Sequence, residues 1–270
     1  YGPMQKRHLL WFIFILVTTI SCSRDDNPLP VGNGKVLVLM YHSIVDGAPA
    51  NEYERTVDKF EGDLRYIRDN NINVLLFSDL ENIAVTGEMP VQNSIILTFD
   101  DGDRSWYTLV KPLLLKYGMK ATFFLCTDMV GSSPYVNWDE VEEMSGYMQP
   151  GGVRPFEFES HTTSHRFLLA SRANFGTETE YNAFLDYEFG ESKKLIDGHI
   201  LREITALSLP YGDGADDPVI IAAATRNGYS LIRTSKWGNI TSPEFNLFSV
   251  PSLPVLDTTS VRFINYYLNL

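Results

Sequence analysis

Short apolar runs alternate with longer amphipathic stretches from Lys35 onward, and this alternation limits the folds that the chain can adopt. The apolar runs are rich in β-branched and aromatic residues and are predicted to be buried strands, at residues 35–41, 73–77, 94–99, 121–126, 156–161, 204–209 and 229–234. Helices are predicted between them, over residues 56–70, 105–118, 177–199 and 217–228. Strands that alternate with helices predict a parallel sheet.

About seven strands within residues 36–270 predict a single α/β domain that closes into a (β/α) barrel, because barrels of this length are common as single domains. An open, doubly wound sheet is the alternative. In both folds the loops at the carboxyl ends of the strands carry the reactive side chains.

The first 22 residues have the layout of a secretory signal, with a basic start, an apolar run at residues 9–17 and small or polar residues up to Cys22. The run is too short for a permanent membrane span. The segment "TISC" resembles the lipobox of bacterial lipoproteins, so Cys22 is predicted to be lipidated; a plain signal peptide is the alternative. Residues 23–35 are predicted to be a flexible tether. Such a chain would cross the inner membrane and be anchored at the outer membrane or cell surface.

The chain carries a formal net charge of −12 and no basic stripe. This balance argues against a nucleic-acid-binding protein, because no cluster of lysine and arginine is available to neutralise phosphates. If Cys22 is lipidated, Cys126 is the remaining thiol, so no disulfide framework is expected.

Two adjacent acidic residues, Asp100 and Asp101, follow the predicted strand at residues 94–99, and Gly102 comes next. A turn that begins here would bring both carboxylates to the mouth of the barrel. Two like charges side by side require a cation nearby. The alternative is an Asp-Gly turn that caps a helix.

His161 and His165 stand four residues apart just after another predicted strand. On a helical turn this spacing places both imidazoles on one face, which is a common way to supply two metal ligands. Two histidines and one carboxylate would bind a divalent cation and leave coordination positions open for water and substrate. The second aspartate would then be free to act as a base. Two surface histidines without a ligand are the alternative.

Three motifs, "TFDDG", "HTTSH" and "SLPYG", occur in this order and together resemble the polysaccharide deacetylases of carbohydrate esterase family 4, the NodB-homology domain. The segments "LMYHS", "SLIRTSKWGN" and "FSVPSLPV" resemble the branch that acts on poly-N-acetylglucosamine. The resemblance covers residues 36–256 and implies a distorted (β/α) barrel that removes acetyl groups from N-acetylated sugars with the help of a metal.

Position by position, the resemblance implies a role for each motif. The implied metal ligands are Asp101, His161 and His165. The implied metal is zinc, with cobalt or nickel as alternatives. Asp100 would be the general base. The backbone N–H of Tyr211 would stabilise the oxyanion, in a loop that Pro210 shapes.

The sequence departs from the family's pattern at two places. Ser208 stands where many relatives have an arginine that orients the base, and Arg233, at another strand end, is a candidate replacement by position alone. The last motif lacks the histidine that protonates the leaving amine. His42, at the end of the first strand, is the candidate for a general acid or substrate contact; a structural hydrogen bond is the alternative. Trp138 and Trp237 are candidate sugar contacts.

Together these observations predict a metal-dependent hydrolase that removes N-acetyl groups from an N-acetylglucosamine-containing polysaccharide of the cell envelope or extracellular space. One alternative is an O-acetyl esterase acting on xylan-like material, because the same attack cleaves esters more easily than amides. Another is a non-catalytic glycan-binding protein on the same scaffold, since two catalytic groups of the family are missing from their usual positions. The expected partners are the polysaccharide and, through the anchor, the membrane.

Overall fold

The computed structural model describes Gly2 and residues 32–270. The predicted signal peptide, Cys22 and most of the predicted tether lie outside the described residues and stay predictions. Within residues 32–270, no helix combines the length and the apolar character that a membrane span requires.

Ten strands within residues 32–270 form one large parallel sheet and a separate parallel pair. In chain order they are β1 Val36–Tyr41, β2 Ser43–Val45, β3 Glu54–Thr56, β4 Asn73–Leu75, β5 Ser94–Asp101, β6 Ala121–Leu125, β7 Phe156–Ser160, β8 Ala206–Ser208, β9 Leu231–Arg233 and β10 Leu253–Pro254. Seven strands lie side by side in the order β10, β1, β5, β6, β7, β8, β9, and β4 pairs with the first part of β5. The separate pair is β2 with β3.

The strand order distinguishes between the two predicted topologies. From β1 through β5 to β9 the order follows the chain without a reversal, whereas a doubly wound sheet reverses at a switch point. The segment after β9 spans the remaining gap to β1: Val250 donates to the carbonyl of Ile232 (2.9 Å) and Val255 to that of Met40 (2.9 Å). The predicted distorted (β/α) barrel of about seven strands is confirmed.

Both faces of the sheet are buried, which explains why its strands are continuous apolar runs. On β1, Val36 and Val38 belong to a cluster inside the barrel. Leu37 and Leu39 point the other way and pack in the cluster between sheet and helices. The carboxyl end of each strand therefore emerges from a rigid, packed layer, and the loops that carry the site start there.

Seven α-helices occur within residues 32–270. They are α1 Val57–Asp69, α2 Asp79–Thr86, α3 Lys111–Tyr117, α4 Trp138–Gly146, α5 Glu178–His199, α6 Pro218–Arg226 and α7 Val261–Asn269. A π-helical turn at Trp106–Val110 leads into α3, and Gly118 ends it in the left-handed region. The predicted helices correspond to α1, α3, α5 and α6. The sequence analysis did not predict α2, α4, α7 or the β2–β3 pair. The two strands have only three residues each, too few to give a clear period, whereas α4 and α7 are as long as the predicted α6 and were missed.

A pair of acidic side chains lies inside the barrel on β7. Glu157 and Glu159 point inward, while the alternating Phe156 and Phe158 pack outward. One guanidinium, from Arg202, contacts both carboxylates. Burial, together with the charge of Glu157, raises the pKa of Glu159 to about 8, and Arg202 only partly counteracts this. The pair therefore keeps a proton near neutral pH.

The free energy of unfolding is expected to fall as the pH rises from about 5 to about 8. Folded Glu159 holds its proton more tightly than the unfolded chain does, so its stabilisation is complete below the ordinary glutamate pKa and is lost as the pH passes through about 8. With about 1.4 kcal/mol per pKa unit, the change is on the order of a few kcal/mol. Urea unfolding across this range measures it. Glu159→Gln, which is neutral throughout, is expected to flatten the dependence, and an unchanged slope would contradict the assignment.

Candidate metal centre and active site

The carboxyl end of β5 carries both aspartates to the mouth of the barrel. Asp100 is 2% exposed and points into the barrel. Asp101 would face the helices if the strand continued, but its φ of 85° turns the chain so that its carboxylate also reaches the mouth. Gly102, with a φ of 118°, continues the turn in a conformation that glycine adopts without strain. The predicted turn is present.

Three side chains from two distant loops converge at this point. The Asp101 Oδ1 atom lies 3.1 Å from His165 Nε2 and 3.4 Å from His161 Nε2. The three atoms lie within 4.8 Å of one another, close enough to share one cation.

The hydrogen bonding around these residues fits a metal. His161 Nδ1 lies 3.0 Å from the carbonyl oxygen of Ser208. Because a carbonyl only accepts, Nδ1 carries the proton and Nε2 presents its lone pair to Asp101. The Asp101 Oδ1 atom is buried and accepts no hydrogen bond from the residues that the structure describes. A buried carboxylate oxygen normally accepts a hydrogen bond, and this one faces two imidazole nitrogens instead. One carboxylate oxygen and two imidazole nitrogens are ligands that a divalent cation can share.

The loop between the two histidines differs from the prediction. β7 ends at Ser160, and no helical turn follows it: Thr162 and His165 have φ values of 68° and 56°. The helical explanation of the four-residue spacing is therefore wrong. The two imidazoles still converge, with ring centroids 4.9 Å apart, because the left-handed residues fold the loop back toward the barrel.

The charges of the site favour a cation at its centre. Burial lowers the pKa of His161, but Asp100 and Asp101 outweigh it and raise that pKa above its ordinary value. Burial raises the pKa of Asp101, but His161 and His165 outweigh it and hold the pKa well below the usual range. The pKa of His42 is lowered by burial, which the two aspartates only partly counteract.

The second carboxylate, Asp100, is fixed through one of its oxygens. Arg233 donates to Asp100 Oδ2, and the Ser208 hydroxyl lies 3.4 Å from the same atom. The other oxygen, Oδ1, is buried and receives no hydrogen bond from the described residues. Asp100 is thus held at Oδ2 and free to accept a proton at Oδ1, which is the arrangement that a general base requires.

Arg233 is the cation that faces the aspartate pair. It is 1% exposed, and its guanidinium also bonds to the hydroxyls of Ser208 and Ser252. Ser208 and Arg233 are direct partners across the β8–β9 ladder. The guanidinium of Arg233, which the sequence analysis named as the candidate replacement for the arginine missing at Ser208, therefore lies beside Asp100.

An open cavity of about 700 Å³ lies above these groups. His42 and Tyr53 form part of one wall, with their rings 4.9 Å apart. Trp237 and Tyr211, each 58% exposed, also line the cavity. The volume and the aromatic walls suit a sugar-sized ligand.

Tyr211 lies in the turn at Pro210–Gly212, directly after β8. Its φ of 59° directs the ring outward, where it stacks on Phe167 at 4.0 Å and contacts the edge of His165 at 4.8 Å. Pro210 precedes it and is buried, as expected for a residue that shapes the loop.

The structure places Trp138 away from this cavity, in contrast to the prediction. Trp138 is the first residue of α4, and its ring stacks on that of His199 at 4.0 Å with an angle of 6° between the planes. It is half-buried against the core and does not line the cavity. An aromatic residue at a helix start is a weak signal for sugar binding, because packing against a neighbouring helix satisfies it equally well.

Three residues near the site were not predicted: Tyr53, Phe167 and Glu188. Tyr53 and Phe167 lie in loops with no motif around them. Glu188 lies in the middle of α5, where it is buried among apolar residues. A charged residue on the apolar face of a helix was the one signal that could have identified it.

Comparison with known proteins agrees with the fold and the motifs. A family model described as "Polysaccharide deacetylase" matches residues 88–232, just over half of the chain. This region contains both aspartates, both histidines and the Pro-Tyr-Gly turn. The chain belongs to the polysaccharide deacetylase family, and membership implies hydrolase activity.

Two curated relatives are similar over most of the chain. The putative polysaccharide deacetylase YxkH of Bacillus subtilis (strain 168) is 29% identical over 204 residues, which are 76% of this chain and 66% of that protein. The poly-β-1,6-N-acetyl-D-glucosamine N-deacetylase of Staphylococcus aureus (strain N315) is 24% identical over 257 residues, 88% of this chain and 85% of that protein.

Solved structures share the fold. The Streptococcus pyogenes deacetylase PplD, in complex with acetate, has a TM-score of 0.74 at 24% identity, over 87% of this chain and 98% of that one. IcaB from Ammonifex degensii has a TM-score of 0.71 at 18% identity, over 88% and 99%.

Proposed function

We propose that the protein is a metal-dependent N-deacetylase that acts on an N-acetylglucosamine-containing polysaccharide of the cell envelope or extracellular space. One observation carries the proposal: a buried carboxylate with a free oxygen, Asp100, lies beside three convergent metal-ligating atoms at the floor of an open cavity. The similarity to a poly-β-1,6-N-acetyl-D-glucosamine N-deacetylase supports the choice of substrate class. Two histidines and one carboxylate hold the catalytic zinc of other hydrolases, so zinc is the metal that we propose.

The residues of the site divide the reaction between them. A divalent cation held by Asp101, His161 and His165 would supply Lewis acidity to the attacking water and the acetyl carbonyl. Asp100 Oδ1 takes the proton of the water as its oxygen bonds to the carbonyl carbon. Arg233 keeps Oδ2 occupied, which leaves Oδ1 as the oxygen that can take the proton.

Two further groups complete the reaction. The backbone N–H of Tyr211 donates to the oxyanion of the tetrahedral intermediate. As the carbon–nitrogen bond breaks, the leaving nitrogen takes a proton from His42, and the proton that Asp100 took from the water replaces it, which gives acetic acid and a free amine. His42 suits this role because it lies in the cavity wall at the end of β1.

Acetate release across a panel of glycans tests the proposal. The panel contains β-1,6- and β-1,4-linked N-acetylglucosamine oligomers and acetylated xylan, each with and without a chelator. The expected result is release from the N-acetylated oligomers that the chelator abolishes and added Zn²⁺ restores. Release from xylan alone would identify an O-acetyl esterase. Glycan binding without any release would identify a binding protein and contradict the proposal.

His42→Ala is expected to lower acetate release from N-acetylated oligomers by about 10²-fold, because the leaving amine loses its proton donor. Nitrophenyl acetate, whose leaving group departs as a stable anion, should be hydrolysed at nearly the wild-type rate. Tyr53→Phe, which keeps the ring that packs on His42, is the matched control. Full turnover by His42→Ala, or an equal loss on both substrates, would contradict the role of His42 as the acid.

A further inference from the structure

The loop that carries the two histidines, residues 161–165, has an energetically unfavourable backbone conformation. Thr162 and His165 adopt left-handed φ values of 68° and 56°. This region is rare for side chains other than glycine and especially for β-branched residues such as threonine. Such residues cost on the order of 1–3 kcal/mol each and persist only where the surroundings fix them.

One stretch of helix α5 supplies several of the contacts that fix this loop, and the segment after β6 supplies others. The Glu188 carboxylate accepts a hydrogen bond from the Ser164 backbone N–H at 2.9 Å and another from the Ser164 hydroxyl. The Glu188 carbonyl accepts from the Thr163 N–H at 3.0 Å and from its hydroxyl at 3.1 Å. A single helical residue therefore holds two consecutive loop residues through both its side chain and its backbone.

A second contact lies one helical turn further along α5. The Ser192 hydroxyl is 2.8 Å from that of Ser160, and Ser160 in turn accepts from the Thr162 N–H at 3.1 Å. Glu188 and Ser192 stand four residues apart and face the same loop. The two together contact the chain on both sides of His161.

Packing alone does not account for these polar side chains. Glu188 is 1% exposed, yet the other buried residues of its helix include Leu185, Phe189 and Ile196. No Lys, Arg or His nitrogen of the described chain lies within 4.0 Å of its carboxylate, so hydrogen bonds from the loop are its compensation. Burying a carboxylate that has hydrogen bonds but no positively charged partner lowers the free energy of unfolding, and a leucine of similar size would not carry this desolvation penalty.

We propose that Glu188, assisted by Ser192, is a positioning residue for the metal ligands. It touches neither the ligating atoms nor the cavity. With Ser192, it holds residues 160–164 in the backbone conformation in which the Nε2 atoms of His161 and His165 point at Asp101. The proposal rests on the proposed function, because it assumes that these three residues bind a metal.

Zinc affinity, measured on the full chain by competition with a chromogenic chelator, tests the proposal. Glu188→Ala is expected to weaken Zn²⁺ binding by about 10–100-fold, the usual cost of losing a residue that orients metal ligands. Glu188→Gln keeps an oxygen for the Ser164 N–H and should lie between it and wild type. Ser192→Ala removes the second contact and should also weaken binding.

Asp197→Asn is the matched control. Asp197 is on the same helix and also accepts a loop N–H, that of Ile204 at 2.8 Å, but at the far end from the metal loop. The zinc affinity of the Asp197→Asn variant should equal that of wild type. Thermal unfolding with and without zinc gives a second readout: the zinc-dependent rise in Tm should shrink for the Glu188 variants and stay unchanged for the control.

The outcomes separate this proposal from the proposed function. If wild type binds no zinc, the proposed function fails first. If wild type binds zinc and Glu188→Gln and Ser192→Ala bind it equally well, Glu188 is merely structural and this proposal is overturned. These two mild variants decide the question even if Glu188→Ala does not fold.

Discussion

Asp100→Asn is expected to lower acetate release by about 10²–10⁴-fold while zinc affinity and the fold are retained. The amide has nearly the shape of the carboxylate and still offers an oxygen to Arg233, so the packing of this buried residue changes little. It cannot take a proton from water. The measurement is kcat for acetate release from an N-acetylglucosamine oligomer, with zinc affinity determined on the same preparation.

Asp101→Asn is the control, because it alters the adjacent residue of the same turn. It should weaken zinc binding strongly, since Asp101 Oδ1 is one of the three convergent atoms. The two variants thus separate the base from the ligand. Acetate release by Asp100→Asn within a few-fold of wild type would mean that another group is the base.

Arg233→Met is expected to reduce both stability and turnover. It leaves Asp100 buried without its cation, and breaking a buried ion pair in this way costs about 3–5 kcal/mol. The base also loses its fixed orientation, and a shift of about 1 Å can cost about 10²-fold in rate. Urea unfolding and kcat at saturating substrate measure the two effects separately.

Two further variants distinguish a positioning role from simple stabilisation. Arg202→Met removes an arginine from two buried glutamates that do not line the cavity, so it should lower stability but leave kcat unchanged in the folded enzyme. The exchange Ser208→Arg with Arg233→Ser moves the guanidinium across the β8–β9 ladder and should recover part of the lost rate. If Arg233→Met loses stability but keeps its kcat, Arg233 does not orient the base.

The sequence analysis located the site well where the signal was local. The two aspartates follow an apolar strand, and the histidine pair follows another. The ends of these two strands, β5 and β7, therefore predicted the position of the metal ligands and the base. The same local rules failed for the loop at residues 161–165, because two left-handed residues replaced the expected helical turn. They failed for Trp138, whose packing partner, His199, is the last residue of the next helix, α5.

What the sequence by itself determined is the parallel α/β architecture, since continuous apolar runs and helical spacing report burial on the two faces of a sheet. It also determined which residue types could bind a metal and act as a base. The tertiary structure alone decided which cation faces Asp100 and which helix holds the histidine loop. Arg233 is 133 positions away from Asp100, and Glu188 is 24 from Ser164. Strand order and helix packing create such contacts, and neither can be read from the periodic pattern of apolar residues along the sequence.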